Sequence, residues 1–294
     1  MRREESVRRV AQAIAALSIG LWSFWPVHGW VAEAPFRAAE PANEVERVVG
    51  PVRQATVTTK DSIATLSFSA TGELTQKVTR IRTDPTAVET ILYRYDAQGG
   101  KIGEYVADSD GEVVPLRLYA YDSEHQLSAE ASYHMCRTFS SLHVYAHNGS
   151  GQVTEDLQFE SRRLTIREFQ YDATGRLQHG TMHRNGRLMS VTRYIYDDTG
   201  RVATVASQQP DGTVVSRLYR YDEHGNVIVF VETHSGSPAQ DKTEITAYQY
   251  DVHGNWTRRT IIRAVNPLDE EGHPVEEPVQ VTEREIAYAD KSGQ

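Results

Sequence analysis

FQYDATGRLQ at residues 169–178 and YIYDDTGRVA at residues 194–203 decide the fold. Both carry an aromatic pair two residues apart, then Asp, then Gly three residues beyond the Asp, and the two copies lie 25 residues apart. The signature recurs, whole or worn, along the chain. Taking the second aromatic of each copy as its marker gives Phe68, Tyr95, Tyr121, Tyr145, Tyr171, Tyr196, Tyr221, Tyr250 and Tyr288. Successive spacings are 27, 26, 24, 26, 25, 25, 29 and 38 residues. A fixed period of this length marks a repeat architecture, and drifting terminal copies are usual in such arrays.

Each copy reads as strand, turn, strand. Val214–Asp222 and Val227–Thr233 are β-branched and aromatic, as strands require. Between them the Asp caps its own turn by bonding backbone N–H groups ahead of it, and the Gly supplies a positive φ. Asp172 with Gly175, Asp197 with Gly200, Asp222 with Gly225 and Asp251 with Gly254 are therefore turn residues of a structural kind. Second turns at Asp110-Gly111, Asn185-Gly186, Asp211-Gly212 and Ser235-Gly236 join the opposite strand ends. The expected fold is all-β: an antiparallel hairpin meander, a curved sheet of about sixteen strands in eight or so units. Residues two apart share a strand face, so the aromatic pairs form a ladder of rings across that sheet.

The pattern Tyr-x-Tyr-Asp-x-x-Gly-Arg-Leu resembles the YD repeat of RHS and teneurin-type proteins. Residues 194–202 match with Val202 for Leu, and residues 169–177 match with Phe169 at the first aromatic. Copies at 93, 119, 219 and 248 match through the turn, with His125 in place of Gly in the second of these. The copy around Tyr145 shows His147-Asn148 where Asp is usual. The resemblance covers roughly residues 60–290. It implies a long curling antiparallel sheet, which in large members of the family encloses a toxic C-terminal cargo. This chain has fewer copies than a shell is expected to need, and residues 264–294 hold a divergent last unit and a short tail. The resemblance thus implies the fold, not a toxin-delivery role or self-cleavage, and no catalytic residues.

Ahead of the repeats, Arg2, Arg3, Arg8 and Arg9 precede the uncharged run Val10–Trp25, which Pro26 breaks. That is the pattern of a secretory signal, with an uncleaved anchor as the alternative. Expected boundaries are 1–29 for the signal peptide or anchor, 30–60 for a linker and 61–290 for the repeat domain. Thr56–Lys60 already reads as strand by its β-branched content. The expected location is exported: periplasmic, cell-surface or extracellular. Net charge is −9, and −11 once residues 1–29, at +2, are set aside. An acidic chain with no basic stripe is a poor match for nucleic acid or anionic membrane. A mean hydropathy of −0.52 fits thin two-faced sheets better than a thick core.

Chemistry-bearing motifs are sparse. Cys136 is alone, so it forms no internal disulfide, and a small buried apolar role accounts for it. His179 and His183 share a strand face but bring no carboxylate with them, and Asp108–Glu112 reads as a hairpin turn rather than a calcium loop. No cofactor, metal site or catalytic residue is expected, and the chain is read as a non-enzyme. The expected role is a protein-interaction or scaffolding module at the cell envelope, working through an open sheet face or its unpaired edges. Pro267, Pro274 and Pro278 would blunt the last edge. The alternative is a carbohydrate-binding surface, on cell-wall or cell-surface glycan, built from Tyr194, Tyr196, Tyr219, Tyr221, Tyr248 and Tyr250. A hydrolase assembled from turn residues is the reading from another class.

Overall fold

The computed structural model describes residue 48 and residues 51–84, 86–107, 112–134, 138–268 and 274–288, with the side chains at 239 and 263–279 outside that set. Outside it fall the signal and most of the linker, Asp108–Gly111, Cys136, residues 289–290 and the side chains of Pro267, Pro274 and Pro278.

The described residues form eighteen strands. The first nine are β1 (Val52–Thr58), β2 (Ser62–Phe68), β3 (Leu74–Ile81), β4 (Val88–Tyr95), β5 (Lys101–Ala107), β6 (Val113–Tyr121), β7 (Leu127–Tyr133), β8 (Phe139–His147) and β9 (Val153–Glu160). Then come β10 (Arg163–Tyr171), β11 (Leu177–Arg184), β12 (Arg187–Tyr196), β13 (Val202–Gln208), β14 (Val214–Tyr221) and β15 (Val227–His234). A 3-10 turn at Pro238–Gln240 leads to β16 (Lys242–Tyr250), β17 (Trp256–Leu268) and β18 (Pro274–Tyr288). The first strand thus starts at Val52, inside the stretch expected to be linker.

Each strand pairs antiparallel with the strand before and after it, and β18 returns to β1. Val52 faces Tyr288, Thr56 faces Glu285 and Thr58 faces Glu283. This corrects the expectation of an open curved sheet of sixteen strands: the sheet is an 18-stranded closed barrel. An open meander would leave a row of unpaired N–H and C=O groups along β1 and another along β18. Pairing the two rows satisfies both and removes the edges. Strand addition at a free edge is therefore not open to this fold, and no proline block is needed there.

All nine marker aromatics sit at or near the ends of even-numbered strands, at one mouth of the barrel. Turn chemistry explains the regularity. Asp172 Oδ1 accepts from the backbone N–H of Thr174 at 2.8 Å and of Arg176 at 2.9 Å. The Gly175 N–H donates to the Asp172 carbonyl at 2.9 Å, and Gly175 stands at φ 83°, which only glycine adopts without cost. Register then slips by one residue so that Tyr171 faces Leu177, the bulge that accompanies such a turn. Where His125 replaces the glycine it holds φ 59°, and its ring stacks on Tyr121 with centroids 4.7 Å apart. At the other mouth Asn185 and Gly186 both have positive φ, the two-residue hairpin expected of Asn-Gly.

The face that carries the aromatic pairs is the inner one. A cavity of about 300 Å³ is lined by side chains of this face from β10 through β15. Apolar burial is spread in three patches around the thin wall. Phe169, Leu177, Tyr194, Val202, Val205 and Tyr219 form one on the inner face. Ala55, Val57, Ala64, Leu66 and Trp256 form a second near the closing seam. The third, over β6–β9, has Leu118, Ala120, Ala129, Ala131, Leu142, Val144 and Leu157. By strand alternation it lies on the outer face, since Tyr119 and Tyr121 point inward.

Candidate functional site

The tyrosine row of the sequence analysis is assembled as a ladder, and its hydroxyls are largely spent within the wall. Tyr95 donates to the Leu74 carbonyl at 2.8 Å, and Tyr121 to that of Lys101 at 3.1 Å. Tyr171 donates to Val153 at 2.7 Å, Tyr196 to Leu177 at 2.7 Å and Tyr221 to Val202 at 2.8 Å. In each case the acceptor belongs to the preceding repeat, so every tyrosine pins one hairpin to the one before it. Burial, opposing the charged phenolate, raises the Tyr171, Tyr196 and Tyr221 pKa values.

The residue after the turn glycine sets a variation on this theme. Arg176 bonds Asp172 through Nε at 2.9 Å and lies over the Tyr196 ring at 5.0 Å. Arg201 treats Asp197 and Tyr221 alike, at 3.2 Å and 4.8 Å. In the next two copies the position is Asn226 and Asn255. There the second carboxylate oxygen of the turn is left for the following tyrosine: Tyr250 donates to Asp222, and Tyr288 to Asp251. Tyr194 and Tyr219 are nearly buried, and Tyr248 is half-buried. The six tyrosines nominated as a ligand surface thus line one inner wall together, with little ring face turned to solvent at Tyr194 and Tyr219.

Midway along the strands the inner face carries charge in paired networks. Glu104 takes Lys101 at 2.6 Å and the Tyr119 hydroxyl at 2.8 Å, with Arg117 at 3.8 Å. Asp156 bridges His143 and Arg167, each at 2.9 Å. Glu232 takes Arg217 at 2.7 Å and Lys242 at 3.4 Å. Burial works against ionisation of Glu104 and Glu232, but the cations beside them more than offset it, and both sit below the ordinary glutamate pKa. They are ion-pair partners, not poised proton donors. His179 and His183 lie on the outer face of β11 opposite Arg193 and Leu188. Among the described residues no group of three or more His, Cys, Asp and Glu side chains is arranged to hold a metal ion.

Sequence reasoning passed over the outer face of β12–β17. Ile195 faces Thr204, Thr204 faces Leu218, and Leu218 faces Val231. One pair along, Val229 faces Ile245, which faces Ile262. These side chains make an apolar stripe across the outside of the wall, with Ile195 at 59% and Ile245 at 53% exposure. Exposed Arg193, Arg220 and Arg258 flank it on the same face. The available signal was the residue between the paired tyrosines, which alternation sends outward: Ile195 is the large apolar instance.

The class defined by these features is a closed up-and-down β-barrel built from hairpin repeats, with a polar inner belt. No family model matches the chain, and no curated protein matches it. Among solved structures it is similar to a porin-like protein from Bacteroides uniformis, at 10% identity and a TM-score of 0.45, over 82% of this chain and 98% of that one. A porin-like protein from Bacteroides vulgatus matches at 9% identity and 0.36, over 81% and 98%. The TcdB2-TccC3-Cdc42 structure matches at 18% identity and 0.37, over 74% of this chain and 12% of that one.

Proposed function

We propose that this chain is a non-catalytic, exported protein-interaction module of the cell envelope, a short relative of YD-repeat proteins, that binds its partner through the outer stripe of β12–β17. The observation that carries the reading is the exposure of Ile195, Leu218, Ile245 and Ile262 on one face of neighbouring strands. Apolar side chains exposed in a contiguous row mark interaction surfaces. Arg193, Arg220 and Arg258 fit a partner with acidic side chains around an apolar segment. Lipid is the poorer occupant. A membrane barrel needs an apolar band about 25 Å tall, whereas this wall also carries Glu168, Arg193 and Glu283 within its strands.

Export rests on the arginine-rich start and the apolar run of residues 1–29. The carbohydrate reading draws no particular support from the geometry, because the hydroxyls of Tyr196, Tyr221 and Tyr250 are committed within the wall. A hydrolase is not favoured either, since Glu104 and Glu232 are locked to cations.

The test is photo-crosslinking from position 218 in envelope fractions, repeated with Ile195→Glu/Ile245→Glu. A defined crosslinked partner that disappears in the double variant, with circular dichroism unchanged, supports the reading. A partner captured equally by both proteins, or captured only from inner-face positions, overturns it.

A further inference from the structure

Around most of the inner face, cations come with carboxylates. Lys101, Arg117, Arg167, Arg217 and Lys242 each lie no more than 3.8 Å from Glu104, Asp156 or Glu232. Arg259 on β17 departs from this. It faces Tyr248 on one side and Thr282 on the other, so both it and Thr282 belong to the inner face. Among the described residues Arg259 has no ion pair, and its Nε is shielded from solvent without a hydrogen-bond partner. The Thr282 Oγ1 is shielded and unpartnered too. Polar groups that have given up water and gained no bond are costly, and two on facing residues call for a common partner.

Charge indicates what that partner is. Arg284 follows Thr282 on the same face of β18, and its Nε donates to the Trp256 carbonyl at 2.9 Å. Its Cζ lies 4.1 Å from the centre of the Trp256 ring, and the Cζ of Arg259 lies 5.8 Å from the same ring. Two guanidiniums are thus gathered about one indole. Among the described residues no Asp or Glu stands on the inner face of β17, β18 or β1–β3. Glu283 and Glu285 face Thr58 and Thr56 on the outer side. Guanidiniums held this close repel, and an anion that reaches both reverses the sign.

We propose that Arg259, Thr282 and Arg284 form a binding site on the inner wall for a phosphoryl dianion, either inorganic phosphate or the phosphate of a small monoester. The planar Arg259 fork suits two oxygens of a tetrahedral anion, and the Thr282 hydroxyl donates to a third. Arg284 supplies the second positive charge. A carboxylate, with two oxygens and one charge, leaves part of this set unmet. Arg259 is itself half-buried, so the anion reaches it from the lumen. The site is independent of the partner stripe, which lies on the outer face.

The experiment is calorimetric titration of the full chain with inorganic phosphate at constant ionic strength, beside Arg259→Gln, Thr282→Val and Lys242→Gln. One site per chain is expected. Arg259→Gln should weaken binding at least tenfold and Thr282→Val several-fold, while Lys242→Gln, an inner cation already paired with Glu232, should change it less than twofold. Thermal unfolding separates binding from folding. Arg259→Gln removes a charge that lacks a partner, so its midpoint without phosphate should equal or exceed the parent's. Phosphate at ten times its Kd should raise the parent's midpoint by about 2 °C and leave the variant's in place. Phenyl phosphate binding more tightly than inorganic phosphate makes a monoester the ligand, and equal or weaker binding makes it the free ion; either upholds the site. Neither heat nor a midpoint shift at millimolar phosphate would overturn the proposal, as would equal affinity in Arg259→Gln or acetate bound as tightly as phosphate. An Arg259→Gln midpoint well below the parent's in phosphate-free buffer would also overturn it, by making the arginine a structural group.

Discussion

Removing one hydroxyl from the tyrosine ladder tests whether the ladder is architecture. Tyr221→Phe keeps the ring under Arg201 and deletes only the 2.8 Å bond to the Val202 carbonyl, at the bulge that follows the preceding turn. A net hydrogen bond of this kind is worth about 1 kcal/mol. With a urea slope of about 2 kcal/mol/M, the midpoint should fall by about 0.5 M at unchanged slope. Successive rungs lie two strands apart, about 10 Å, far enough for their effects to add. The triple variant Tyr171→Phe/Tyr196→Phe/Tyr221→Phe should therefore lose about 3 kcal/mol, or about 1.5 M in midpoint. Tyr250→Phe should cost about twice a single rung, because its hydroxyl serves the Asp222 carboxylate. The assay is equilibrium urea unfolding followed by circular dichroism and tyrosine fluorescence. Midpoints for all three variants within error of the parent would refute stapling and return the hydroxyls to ligand binding.

Three further outcomes follow from the same contacts. The Tyr119 and Tyr121 hydroxyls, buried first and then crowded by Glu104 and Asp96 respectively, are held above the ordinary phenol pKa. Because the folded values exceed the unfolded one, their stability contribution is complete below about pH 10 and is lost as pH rises beyond it. Tyrosinate absorbance at alkaline pH should thus appear together with unfolding, and a smooth rise near pH 10 in a folded protein would contradict this. Asp197 is depressed to about 2, first by the Thr199 hydroxyl and then by the Arg201 N–H. Its folded value lies below the unfolded one, so the turn's contribution is present above about pH 4 and fades as pH falls toward 2. Asp197→Asn should flatten that part of a thermal-midpoint profile. Arg167→Met leaves Asp156, only 6% exposed at its side chain, with the His143 ring as its remaining side-chain partner. It should destabilise by about 3 kcal/mol, and the double variant with Asp156→Leu should recover a large part of that loss in the same assay.

The hairpin unit was legible because its causes are local. Asp172 caps, Gly175 takes the positive φ, and Tyr171 reaches one repeat back, all within about 25 residues. Nine marker aromatics also implied eighteen strands, but the drifting spacing to Tyr288 argued for worn terminal copies. In fact Tyr288 is the ninth rung, and its strand faces Val52. Closure depends on how curvature accumulates over nine units and on a pairing between β1 and β18, and no local motif records either. The same locality explains the treatment of the tyrosines. Alternation puts Tyr219 and Tyr221 on one face, but only the closed ring decides that this face is the inner one. The outer stripe was missed because Ile195, Leu218 and Ile245 serve strand propensity equally well on either face.

Closure of the barrel stands on the β1–β18 seam. The most direct measurement is oxidation of Thr56→Cys/Glu285→Cys in a Cys136→Ser background, at positions that face each other across that seam. A closed barrel predicts a disulfide between residues 229 apart in sequence, formed in the folded protein at low concentration without loss of β circular dichroism. Thiols that stay free under conditions that oxidise a Thr204→Cys/Leu218→Cys control pair on adjacent mid-sheet strands would show the ring to be open.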